Sequence, residues 1–120
     1  MGKKQKFDVR NMVLILNEVS FPPDQAHKVG KAFIEWMKDN PPDPAIEKNL
    51  CIAVTNNANG DILVIGIGDI AKGKVKEAML RGTEQDLFMA QKIEGFKYSN
   101  KPVLSYQEAY KVIGMTAPEV

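Results

Sequence analysis

Two residue types that carry much of enzyme chemistry are nearly missing here: 120 residues contain one cysteine, Cys51, and one histidine, His27. A lone cysteine excludes an intrachain disulfide and a cysteine-based metal site. A lone histidine excludes a His-rich metal centre, and no close Asp/Glu set has ligand spacing, so no metal is expected. Heme would find only His27 as an imidazole ligand, and nothing else in the sequence calls for a cofactor. An excess of one charge is missing too. Sixteen Lys and Arg stand against 15 Asp and Glu, for a net charge of +1. A dedicated nucleic-acid binder needs clustered cations, and the one small cluster, Lys3, Lys4 and Lys6, reads as a solvated lead-in. Long apolar runs are absent as well. Met12–Leu16 is too short for a signal-peptide core or a membrane span, and Lys6 breaks the myristoylation pattern, so a cytoplasmic protein with no membrane partner is expected.

What is present is an ordinary globular composition, 44% hydrophobic and 26% charged, long enough for one core without staples. The most informative stretch is Cys51–Gly68, CIAVTNNANGDILVIGIG. It reads as two strands around a turn, Leu50–Thr55 and Asp61–Ile67, with Asn56–Gly60 supplying residues that tolerate positive φ. The second strand is apolar on both faces, the pattern of a strand covered from both sides. Short helices can cover only one face of such a sheet, so a second copy of the chain is expected on the other.

The remaining elements follow from pattern and punctuation. Met12–Phe21 reads as a first strand, and Pro22-Pro23-Asp24 ends it and starts a helix. Ala26, Val29, Phe33, Trp36 and Met37 make one apolar stripe along that helix, and Asn40–Pro44 forms a stiff connector after it. A helical segment is expected over Lys74–Leu80. Gly82 weakens it, and Thr83-Glu84-Gln85-Asp86 resembles a capping box that opens a new turn to about Ile93, leaving one helix or two as alternatives. Phe96–Ser105 reads as a fourth strand, marked by Pro102 as an edge strand or a bulge, and Ser105-Tyr106-Gln107-Glu108 as a second capping box before a short helix. The order β-α-β-β-α-β with a terminal helix fits an α+β, ferredoxin-like antiparallel sheet with both main helices on one face. Residues 1–10 are expected to be a flexible lead-in, 11–116 a single domain and 117–120 a tail.

The first strand VLILN, the long amphipathic helix, the hairpin AVTNNANGDILVIGIGD and the closing KPVLSYQEAYKVIG together resemble the dimeric α/β-barrel superfamily over residues 11–114. That resemblance implies two ferredoxin-like sheets packed face to face, with a ligand cavity between each sheet and its own helices. It implies activities as varied as heme-dependent or cofactor-free oxygenation and the handling of small organic acids. No catalytic residue of the group is matched to a position here.

Candidate site residues each carry a plainer alternative. His27 has the intrinsic pKa of a proton shuttle, yet it lies off the helix stripe, as an exposed residue would. Asn17 and Glu18 end the apolar run of the first strand and point to opposite faces, so one of them is the best polar group for a cavity; a wet strand end would look the same. Trp36, Phe33, Met37, Met79, Phe88 and Met89 suit the lining of an apolar pocket or a packed core, and Trp36 and Phe88 are taken as ligand-binding candidates. The run Gly66–Lys74 matches neither phosphate-binding pattern and reads as a loop, its strand glycines admitting close packing against a partner.

Other folds with this order of elements fail on particulars. RNA-recognition domains stack bases on central-strand aromatics, which the third strand lacks. The acylphosphatase reading lacks its Arg-bearing glycine loop, and a metallochaperone would need C-x-x-C. The expectation is therefore a homodimer, joined through its apolar sheet face, that binds a small, partly apolar molecule, with oxygenase- or isomerase-like chemistry if it is an enzyme. The alternative is a non-catalytic sensor or protein-interaction module.

Overall fold

The computed structural model describes residues 13–120, so the expected lead-in over 1–10 lies outside the described residues. Strand β1 covers Val13–Phe21, β2 Glu47–Asn56, β3 Ile62–Ile70 and β4 Lys97–Val103. Helix α1 covers Ala26–Asp39 after a 3-10 turn at Pro23–Gln25, α2 covers Val75–Lys92, and α3 covers Tyr106–Val112. The four strands form one sheet in the order β2-β3-β1-β4 with every neighbouring pair antiparallel. That is the ferredoxin-like α+β arrangement the element order implied.

Residues paired across antiparallel strands share a face, so the registers divide the sheet. Ile15 pairs with Gly68, Asn17 with Gly66 and Val13 with Ile70. Ile15 and Ile70 bury against Ala78 of α2, with Ile46, Val75 and Met79 packed around them, and this contact identifies the helix-covered face. A second buried region closes the far end, where Phe21 and Phe96 stack with centroids 6.5 Å apart and Met89 and Ile93 are buried. Leu14, Leu16, Leu63, Ile65 and Ile67 occupy the alternate positions and point to the opposite face.

The hairpin turn forms as its residues dictate: the Asn57 carboxamide oxygen accepts from the amides of Asn59 and Asp61, and Gly60 adopts φ 83°. The box at Ser105 forms in full, with the Ser105 hydroxyl accepting from the Glu108 amide and the Glu108 carboxylate accepting from the Ser105 amide. The proposed box at Thr83 does not. Helix α2 runs unbroken from Val75 to Lys92 through Gly82, because the helix passes over Asn100 there. A Cβ on Gly82 would stand 3.3 Å from both terminal atoms of that carboxamide, so glycine at 82 serves close approach and not a helix break. Strand lengths also differ: β2 starts at Glu47 and β3 reaches Ile70, beyond the expected Leu50 and Ile67, whereas β4 stops at Val103, short of Ser105. Gly66 and Gly68 face the helices and not a partner, correcting the expected role of the strand glycines.

Candidate functional site

Gly66 of β3 presents no side chain to the helix layer, whereas the space over Gly68 is taken by the Glu47 side chain. A cavity of about 240 Å³ lies there between the sheet and helices α1 and α2, over Gly66 and lined also by Gly68 and Glu47. At about 30 Å³ per water molecule this is room for roughly eight waters, hence for a small molecule only. Its apolar wall is built from Ile15 and Ile52 of the sheet with Phe33, Trp36 and Met37 of α1. Trp36 is held from behind by Phe88, with ring centroids 5.2 Å apart, and the Phe88 ring carries the Lys92 ammonium 4.9 Å from its centroid. Near the connector after α1, Arg81 donates to the Pro41 carbonyl at 2.9 Å and ties α2 to it.

The polar part of the cavity is a cluster from three elements. Asp86 of α2 is 1% exposed. Its Oδ2 accepts from the Asn100 carboxamide of β4 at 2.6 Å and from the Asn17 carboxamide of β1 at 3.1 Å. Asn17 also donates to Asn100 Oδ1 at 2.8 Å, so each group fixes the other two. Burial raises the Asp86 carboxyl to about 6, against the opposing pull of the bonds from Asn100 and Asn17. A buried carboxylate is normally held ionised by a cation; this one has two neutral carboxamides. It can therefore change protonation state near neutral pH. Glu47, on the same face at the rim, is also raised by burial and partly restored by Arg81. Among the described residues no group of His, Cys, Asp and Glu could hold a metal ion.

Of the residues singled out in the sequence, Asn17, Phe33, Trp36 and Met37 line this cavity. Phe88 stands one layer back, as the support of Trp36. Glu18 pairs with Ile65 and Ser99 and lies on the opposite face of the sheet, and His27 is exposed in the first turn of α1. Sequence reasoning missed Asp86 and Asn100. Asp86 was absorbed into a capping box, although Ala78, Gly82, Asp86 and Met89 recur at helical spacing as one face of small or apolar residues with a single acid among them.

No protein-family model matches the chain, and no curated protein matches it. Among solved structures, the de novo designed protein Foldit4 is similar with a TM-score of 0.52 and 9% identity, over 78% of this chain and 97% of that one. A candidate antibiotic biosynthesis monooxygenase from Caulobacter crescentus is similar at 0.43 and 14% identity, over 78% and 89% of the two chains. A dimeric ferredoxin-like protein of unknown function from Thermobifida fusca is similar at 0.42 and 15% identity, over 86% and 100%. At 9% identity the likeness to Foldit4 is one of fold alone.

Proposed function

We propose that this chain binds a small, partly apolar molecule in the cavity between its sheet and helices, and does so as a homodimer joined through the other face of the sheet. The observation that carries the reading is the buried Asp86–Asn17–Asn100 cluster, set beside the apolar wall of Ile15, Phe33, Trp36 and Met37 in a cavity open to solvent. Binding pockets combine apolar walls with a few polar groups that fix orientation, and this cavity has both. A structural core would gain stability by replacing such a cluster with packed apolar side chains, since a buried acid without a cation is costly. The cavity belongs to one chain, which favours an intrachain ligand over the interfacial ligand of a sensor module.

Dimerisation is supported by the sheet face that carries Leu14, Leu16, Leu63, Ile65 and Ile67 and by exposed apolar residues after β4, Leu104 at 60%, Val112 at 74% and Ile113 at 67%. Among the described residues no helix is long and apolar enough to cross a membrane.

Trp36 is the single tryptophan, and it stands in the cavity wall, so intrinsic fluorescence reports occupancy directly. Titration with small phenols, carboxylic acids and ketones should shift its emission saturably for at least one class. Filling the cavity by Gly66→Val should abolish that response. A saturable response of equal affinity in Gly66→Val would overturn the assignment of the ligand to this cavity.

A further inference from the structure

We propose that Asp86 is the base of a proton-transfer site, and that the cavity takes a small carbonyl compound from which Asp86 removes a proton on the carbon next to the carbonyl group. The proposal rests on the cavity reading above and deepens it from binding to chemistry. Three observations meet at one side chain. Asp86 is buried at 1% exposure, yet it lines a cavity large enough for a ligand and open to solvent on one side. Both carboxamide donors engage the same oxygen, Oδ2, at 2.6 and 3.1 Å, so the carboxyl group is oriented while its other oxygen, Oδ1, is the one those bonds leave for a proton. Asn17 and Asn100 bond to each other as well, at 2.8 Å, which makes the arrangement rigid before any ligand enters.

The step needs no reagent beyond the substrate. In its ionised form Asp86 takes the proton at Oδ1; the C–H bond breaks, its electron pair forms a C=C bond, and the carbonyl π pair moves onto oxygen as an enolate. Asp86, now protonated, either trades its proton with water before protonating the same carbon, which gives exchange with solvent, or delivers it to a conjugated carbon further along, which gives an isomer. The enolate oxygen needs a hydrogen-bond donor, and the cavity-lining side chains of Arg81 and Gln85 on α2, nearest in sequence to Asp86, and of Asn40 and Asn49 carry donors. A base titrating near the working pH is best suited to such a transfer. Burial places the Asp86 carboxyl at about 6, where both of its forms are populated.

Among the described residues, Asp86 has no hydrogen-bond partner that is itself a base. Its neighbours from β1 and β4 are Asn17 and Asn100, with Tyr98 further along the same face of β4. The cavity-lining residues of α1, Phe33, Trp36 and Met37, and its C-cap Asn40 carry no charge. Asp43 and Glu47 sit among the lining residues after α1, with Arg81 acting on Glu47, and the Lys92–Glu35 pair at 3.9 Å joins the two helices.

The test is loss of the α-proton NMR signals of cyclohexanone and 4-phenyl-2-butanone in D₂O, with Trp36 emission followed in the same samples. The wild-type protein should speed exchange at least about tenfold over buffer, a modest part of the roughly 10²- to 10⁴-fold that general bases give. The enhancement should rise with pH through about 6 and level off, and Asp86→Asn should return it to the buffer rate. Should Asp86→Asn fail to fold, the wild-type pH profile carries the same test. Ketones that shift Trp36 emission without faster exchange would overturn proton transfer and leave the binding reading standing. Neither effect, from either ketone, would overturn both. Exchange that survives Asp86→Asn would remove Asp86 from the role.

Discussion

At the scale of single residues, Asp86 decides the account. Its carboxyl is ordinary near 3.8 in an unfolded chain and about 6 when folded, so folding favours the protonated form. The associated stability is full below the lower value and is lost as pH rises through the upper one, a change of about 3 kcal/mol. Asp86→Asn keeps the shape and removes the titration. The stability of wild type relative to that variant should therefore fall by about 2–3 kcal/mol between pH 4 and pH 7, as measured by urea midpoints. A constant difference across that window would show that Asp86 titrates normally. Asn17 was legible in the sequence because it interrupts an apolar strand, where any polar residue invites a question. Asp86 was not, since Thr83-Glu84-Gln85-Asp86 after a glycine imitates a helix start. What distinguishes the two cases is tertiary: Gly82 lets α2 cross close to Asn100, and no local pattern records a crossing.

At the scale of elements, β3 makes both the sheet and the cavity. Its doubly apolar character announced a central strand, and the structure places it between β1 and β2. Its glycines were harder to read, because the face on which a strand glycine lies depends on register, and register depends on the partners. Gly66 faces the cavity, and the nearest atoms to a Cβ built there are backbone oxygens 3.9 and 4.0 Å away, ordinary contact distance. Gly66→Val should consequently fold, with stability unchanged or raised by up to about 1 kcal/mol through β propensity. The same variant should weaken ligand binding at least about tenfold, read by Trp36 emission, because the added methyl groups occupy the ligand's space. Helix α3 offers a local test of the legible part. Ser105→Ala removes the hydroxyl of the one capping box that forms, and should cost about 1 kcal/mol in local stability, seen as faster amide exchange at Tyr106–Glu108 with the sheet unaffected.

At the scale of the whole molecule, the open sheet face is the remaining demand. Four strands spaced by about 4.8 Å and rising about 3.3 Å per residue give a face of about 500 Å². Two such faces closed on each other would bury about 1,000 Å² in total, the lower bound for a specific interface. Apolar burial at about 25 cal/mol per Å² favours that closure, less the cost of ordering two partners. The described chain measures 49 × 33 × 23 Å with a radius of gyration of 16.5 Å, against about 13–14 Å for a compact domain of its length. Surface left spread in this way suits a molecule completed by a second copy. Ile65→Lys, in the middle of that face, should convert a dimer to a monomer in sedimentation velocity while the Trp36 response persists, since Ile65 points away from the cavity.

The measurement that bears most directly on the central claim is native mass spectrometry of gently purified wild-type and Gly66→Val protein, each followed by a denaturing spectrum. The account predicts a dimer for both. It further predicts a defined excess mass on the wild type alone, lost on denaturation and giving the ligand's mass. An equal excess on Gly66→Val would place the ligand outside the cavity, and a clean monomer without excess would contradict the dimer and the bound ligand together.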